Sequence, residues 1–149
     1  MHIQFSKYDL NIKTEKETSF IFDIIRKKFV VLTPEEWVRQ HIVHYLINDH
    51  LFPKALISVE KKLVLNDLIK RTDIVLYNRK AKPVLIIECK SEAVNISQKT
   101  FEQIARYNLK LNVPYLWVSN GKTNHLCKID HAANSFLFLD VLPAARELV

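Results

Sequence analysis

Apolar and polar positions along this chain follow two different periods, and the switches between them mark the elements. From Thr33 the stretch TPEEWVRQHIVHYLINDH carries Val38, Ile42, Tyr45 and Leu46 at helical spacing. Thr33 suits an N-cap, Pro34 the first turn, and Glu36 stands three residues on, so a capping box opens this helix. Phe52-Pro53 closes the segment. LISVEKKLVL, IKRTDIVLYN and PVLIIECK then read as strands. The short turns between them, NDL and RKAK, predict an antiparallel meander. Ser97 is the N-cap of a second helix reaching Leu111, with Phe101, Ile104, Ala105 and Leu109 on its apolar face. PYLWVS is a further strand, Asn120-Gly121 is a hairpin signal, and HLCKI and SFLFLDV end the series. Upstream, FIFDIIRKKFVVL (Phe20 to Leu32) reads as extended.

A chain of 149 residues suits one domain, 1–149, with residues 1–30 as an N-terminal extension packed on the core. Composition narrows the function classes. Gly121 is the sole glycine, which removes the glycine-rich phosphate loops of the common nucleotide-binding folds. Cys89 and Cys127 lack the spacing of a zinc site and suit free thiols. The start MHIQFSKYDL has no signal-peptide pattern and no apolar run approaches a membrane span, so no membrane partner and a cytoplasmic location are expected. The net charge is +6, with a basic excess in residues 54–82 that suits a polyanionic partner.

Candidate chemistry begins at LIIECKSE. Four aliphatic residues, Val84 to Ile87, read as a strand buried on both faces and lead into Glu88, Cys89 and Lys90. Alternation places Glu88 and Lys90 on one face and Cys89 on the other. Pairing across RKAK brings Asp73, on the preceding strand, toward them. Two carboxylates at one sheet end can hold Mg²⁺, which prefers hard oxygen ligands. Such an ion polarises a phosphodiester and lowers the pKa of bound water, and Lys90 can stabilise charge developing on the phosphate. The bland alternative is a salt-bridged strand end facing solvent. Glu35 aligns with Val38 and Ile42 and is the choice for a third acid, with Glu36 occupied by the cap. Gln103 and Tyr107, four apart on the second helix, share one face and could contact a phosphate or Lys90. His41 and His44 lack a zinc pattern, as do His125, Cys127 and His131. Trp37 and Trp117 are read as packing residues.

Taken in order, RKKFVVLTPEEWVRQH, RTDIVLY, LIIECK, QIARYN and PYLWVSNG resemble the N-terminal nuclease domain of type I restriction enzyme R (HsdR) subunits, in a stand-alone form. That family belongs to the PD-(D/E)XK nuclease superfamily. The resemblance implies an α/β, restriction-endonuclease-like αβββαβ core with a mixed central sheet flanked by helices. It implies Mg²⁺-dependent cleavage of DNA, with Mn²⁺ as an alternative ion. Carried over, the helix acid falls on Glu35, with Glu36 as the fallback. The metal-binding Asp falls on Asp73, the acid-x-lysine pair on Glu88 and Lys90, and the supporting Gln and Tyr on Gln103 and Tyr107. Lys70, Arg71, Lys99 and Arg106 are the candidate nucleic-acid contacts. Expected partners are DNA, a restriction-system or helicase component, and a second copy if both strands are cut. No helicase motor follows the domain within these residues, so translocation is not expected of the chain. The alternative is a nucleic-acid-binding or assembly module that keeps the fold without cleaving in isolation. A third reading is a protein-interaction domain with a charged strand end.

Overall fold

The architecture, taken from a computed structural model, is described for residues 1–65 and 67–149. The turn expected at Asn66-Asp67-Leu68 therefore includes Asn66, which lies outside the described residues.

Among the described residues the strands form two sheets. The first joins β1 (Ile12–Glu15), β2 (Thr18–Asp23) and β3 (Lys28–Val31) in antiparallel order. The stretch from Phe20 to Leu32, expected to be one extended run, is a hairpin. Its polar middle makes the turn: Asp23 Oδ1 accepts the backbone N–H groups of Ile25 (2.7 Å) and Arg26 (2.8 Å), and Lys27 takes φ of 55°. Met1, Ile3, Phe5, Ile24 and Ile25 lie against the main core from this end of the chain.

The second sheet holds β4 (Ile57–Leu65), β5 (Leu68–Tyr77), β6 (Pro83–Cys89), β7 (Tyr115–Ser119), β8 (Asn124–Asp130) and β9 (Ser135–Leu139), in that spatial order. Helix α1 (Pro34–Asn48) precedes it, and α2 (Gln98–Leu109) connects β6 to β7. That helical crossover makes β6 and β7 parallel, while every other neighbouring pair is antiparallel. The order α1-β4-β5-β6-α2-β7 is the expected αβββαβ core, with a mixed sheet flanked by helices.

Both faces of the central strands are covered. On one side Val38, Ile42 and Leu46 of α1 pack on Ile74, Leu76, Leu85, Ile87 and Trp117. On the other, Phe101 and Ala105 of α2 pack on Val75, Ile86, Leu116 and Val118. This two-sided burial explains the continuous apolar runs of β6 and β7. Each large side chain buried in this way contributes roughly 1.5–3 kcal/mol. At the β7–β8 turn Gly121 has φ of 87°, and a Cβ there would stand 3.3 Å from Val38 Cγ2. Short α3 (Ala145–Leu148) adds Leu148 to the α1-side core.

Half of the capping box forms. Thr33 Oγ1 accepts the Glu36 N–H at 3.1 Å, but the Thr33 N–H donates to the Val31 carbonyl rather than to Glu36. Glu36 is drawn elsewhere, by Arg26 and Arg39 on the inner side of the helix.

Candidate active site

The site lies where the middle of β5 and the end of β6 meet the first turns of α1 and the last turns of α2. Ile74 pairs with Ile87, and continuing that register sets Asp73 beside Glu88. One Asp73 oxygen accepts the Cys89 N–H at 2.8 Å. The other accepts Arg39 Nη2 at 2.7 Å. Backbone and guanidinium together hold this carboxylate in one orientation.

Arg39 is the centre of the α1 side. Its guanidinium also bonds Glu36 and Glu60, the latter at 2.7 Å, so it joins acids from α1, β4 and β5. Arg39 is 6% exposed. Burial works against its charge, but Glu36 and Asp73 outweigh that penalty and the pKa rises. Glu36 is held further by Arg26 Nη2 (2.6 Å) and Gln40 Nε2 (2.9 Å). Arg26 is itself anchored through Nε to fully buried Asp23, at 2.5 Å. Thus the hairpin of the first sheet supports an acid on α1.

Glu60 reaches the cluster through a break in β4. Ile57 and Val59 face the α1-side core, whereas Leu63 faces the α2-side core. The reversal falls at Glu60, whose φ is 52° and which sits opposite Asp73 in the register without joining the ladder. Exposed Arg71 takes the other Glu60 oxygen at 2.5 Å.

Glu88 occupies the α2 side. Lys70 bonds it directly and extends to Asn108 Oδ1 at 3.3 Å, while its ammonium lies 5.1 Å from the centre of the Tyr107 ring. Burial raises the Glu88 pKa, and Lys70 offsets only part of that effect. Lys90 is half-buried; its backbone N–H donates to the Ser119 carbonyl at 2.8 Å, while its ammonium has no hydrogen-bond or ion-pair partner among the described residues and reaches Glu88 only through its field.

The structure therefore brings together Asp73, Glu88, Lys90 and Tyr107 from the sequence-based set. It does not bring in Glu35, which is exposed; Glu36 is the acid that points inward. The physical reason is that charged partners lie beneath the helix. With Arg26 reaching in from the first sheet and Arg39 buried on the helix's inner face, the position three residues before Arg39 turns inward and the cap loses its Glu. Gln103 is exposed on α2, and the side chain that reaches inward beside Tyr107 is Asn108, 1% exposed. Lys70 is not a surface cation, since it is mostly buried against Glu88, while Arg71, Lys99 and Arg106 are exposed. Arg26, Arg39, Gln40, Glu60 and Asn108 were missed. A signal for the helix residues existed: Glu36, Arg39 and Gln40 interleave with Val38 and Ile42 at helical spacing, too polar to count as core. Nothing in the sequence marks Glu60 as leaving its alternation.

Carboxylates on adjacent strands suit a hard divalent cation in their donor chemistry. Buried Gln40 Oε1 has no partner among the described residues, one more oxygen without a donor beside the acids. The acids are not grouped around a common centre, however. Among the described residues no three His, Cys, Asp or Glu side chains converge as a metal cluster. Each acid rests instead on Arg26, Arg39, Arg71 or Lys70.

The αβββαβ order, with a mixed sheet flanked by helices, is the expected restriction-endonuclease-like fold class. The family model for the type I restriction enzyme R protein N terminus matches residues 34–143, and the chain belongs to that family. A solved chain described as a fragment of an HsdR subunit of a type I restriction enzyme from Vibrio vulnificus YJ016 is 20% identical, with a TM-score of 0.40. That match covers 62% of this chain and 19% of the other, so this chain spans a small part of that protein. No curated protein matches. Residues 1–33, including Asp23 and Arg26, precede the matched range. Among the described residues no helix is long and apolar enough to cross a membrane.

Proposed function

We propose that this domain is a metal-dependent deoxyribonuclease that hydrolyses phosphodiester bonds with Mg²⁺, or Mn²⁺ in its place. The observation that carries this reading is Lys90, an uncommitted ammonium two residues beyond Glu88, next to the Asp73 pairing position. Asp73 and Glu88 would hold the ion, with Glu36 in place of Glu35 as the third acid and Glu60 as a further oxygen donor. When bound, the ion supplies an activated water and a polarised phosphate.

The chain's own residues divide the remaining tasks. The Cys89 N–H fixes the orientation of Asp73. Burial makes Glu88 reluctant to stand alone as an anion, which favours a cation beside it. Lys90 stabilises negative charge on the phosphate as bonds exchange. Tyr107 and Asn108 steer Lys70. Exposed Lys61, Lys62, Arg71, Lys99 and Arg106 form the surface on which a nucleic-acid backbone would be held. Family membership supports DNA as the substrate and a restriction system as the setting, with a cytoplasmic location.

The cation-paired acids favour a second reading: a nucleic-acid-binding or assembly module that does not cut until a partner reorders the site. One experiment separates the two. Supercoiled, linear and single-stranded DNA are incubated with the protein in Mg²⁺ or Mn²⁺ against EDTA, with Lys90→Ala as control. Metal-dependent products that vanish in the variant are expected. Salt-sensitive binding with no product on any DNA would replace the nuclease with the binding module.

A further inference from the structure

The strongest unexplained feature is Arg39. One buried guanidinium serves Glu36, Glu60 and Asp73, and it takes an oxygen that the nuclease reading assigns to a metal. Its Nε is buried and has no partner among the described residues, and neither does Oε1 of the adjacent Gln40, fully buried and bonded into the same cluster through Glu36. An arginine needed only as structural glue would be expected to satisfy its buried N–H. Here both hydrogens of Nη2 are used, on Glu60 and Asp73, while the Nε–H is left open, so the guanidinium has unmet bonding capacity where it lies.

We infer that Arg39 is a positioning residue that acts as a resident counter-cation. It holds the acids of α1, β4 and β5 in register, and it must release Asp73 before a divalent ion can be held there. The inference rests on the nuclease reading and concerns how its metal site is regulated. A divalent ion and a guanidinium on the same Asp73 oxygen repel each other across a partly buried site. The metal therefore competes with Arg39, and the free protein binds it weakly. Removing the guanidinium takes from Asp73 its ion-pair cation and leaves Glu36 to Arg26 and Glu60 to exposed Arg71, a deficit of positive charge that a divalent ion relieves.

The test measures metal binding directly, without nucleic acid or turnover. Mn²⁺ is titrated into the full chain and into Arg39→Gln, and free Mn²⁺ is followed by electron paramagnetic resonance. Folding is checked by circular dichroism, and Asp73→Asn reports on site identity. Arg39→Gln is expected to bind Mn²⁺ at least about tenfold more tightly than the parent, a gain corresponding to roughly 1.4 kcal/mol, and to lose that gain in the double variant with Asp73→Asn. So that the test does not depend on the folding of Arg39→Gln, the parent protein carries a second readout. The Arg39 Nε–H resonance, followed by nuclear magnetic resonance during a Mg²⁺ titration into the millimolar range, is expected to shift saturably. Equal Mn²⁺ affinities in two folded proteins, or metal bound with the Arg39 resonance unmoved, would overturn the inference and leave the metal-dependent reading standing. No binding by either protein and no resonance shift would remove both.

Discussion

Asp23→Ala tests whether the first sheet supports the site or merely sits beside it. Asp23 is fully buried and accepts the N–H groups of Ile25 and Arg26 and the Nε of Arg26. The alanine leaves two backbone donors without an acceptor, at roughly 1–3 kcal/mol each. It also removes one partner from an ion pair whose arginine is 19% exposed, for which the loss in a fully buried pair is about 3–5 kcal/mol. These contributions share atoms and do not add, and water reaches the arginine, so a total of about 3–5 kcal/mol is expected. That is a large part of the roughly 5–15 kcal/mol that a domain has. Asp23→Asn keeps an acceptor for the backbone and loses only the charge, so it should recover about half. Urea unfolding followed by circular dichroism reads the difference; with a slope of about 1–3 kcal/mol/M the alanine midpoint falls by more than about 1 M.

The pH dependence adds a sign. Burial pushes the Asp23 pKa up, but the Arg26 N–H, the Arg26 side chain and the Ile25 N–H together bring it below its ordinary value of 3.8. A depressed carboxylate contributes stability that is fully present above that ordinary value and is lost as pH falls through the folded value. The gap between parent and alanine variant should therefore be widest at neutral pH and close in acid below 3.8. A variant within about 1 kcal/mol of the parent at neutral pH would refute the reasoning.

Four further outcomes are expected. Lys90→Ala abolishes metal-dependent cleavage without lowering the melting temperature, because no ion pair holds Lys90 among the described residues; a fall in melting temperature would make it a structural lysine. Glu36→Ala destabilises the protein and stops cleavage, whereas Glu35→Ala, at an exposed position, leaves both within error in the same assays. Asn124→Ala strips the acceptor from Trp117 Nε1 (3.0 Å) and Ser119 Oγ (2.7 Å), both buried, and costs about 2–4 kcal/mol in urea unfolding. Burial, then His41, lowers the His44 pKa below its ordinary 6.5, so stability present above that value is lost as pH falls through the folded value. His44→Gln should flatten that slope in a series of thermal melts from neutral to mildly acid pH.

Much of the fold was legible because it depends on local rules. Thr33 and Ser97 cap α1 and α2 as their side chains dictate, each accepting the N–H three residues on. The runs of β4 to β6 pair as a meander because their turns are short. The Phe20–Leu32 hairpin was not legible, since its turn depends on Asp23 closing around Arg26, a contact that hydropathy does not register. The site divides in the same way. Asp73, Glu88 and Lys90 followed from strand alternation and a short connection. Glu35 was preferred to Glu36 because a helical stripe counts apolar neighbours and is blind to buried arginines.

By itself the sequence determined α1, α2 and β4 to β9, their order, and the two acids and lysine carried by β5 and the end of β6, since period, capping and turn length act within a few residues. Only the tertiary structure decided which helix acid turns inward, that Glu60 leaves its alternation to join it, and that Arg39 and Lys70 hold the acids. Those choices are settled by charges far apart in the chain. A buried charge takes whichever opposite charge the fold brings within reach, and no local pattern records that distance.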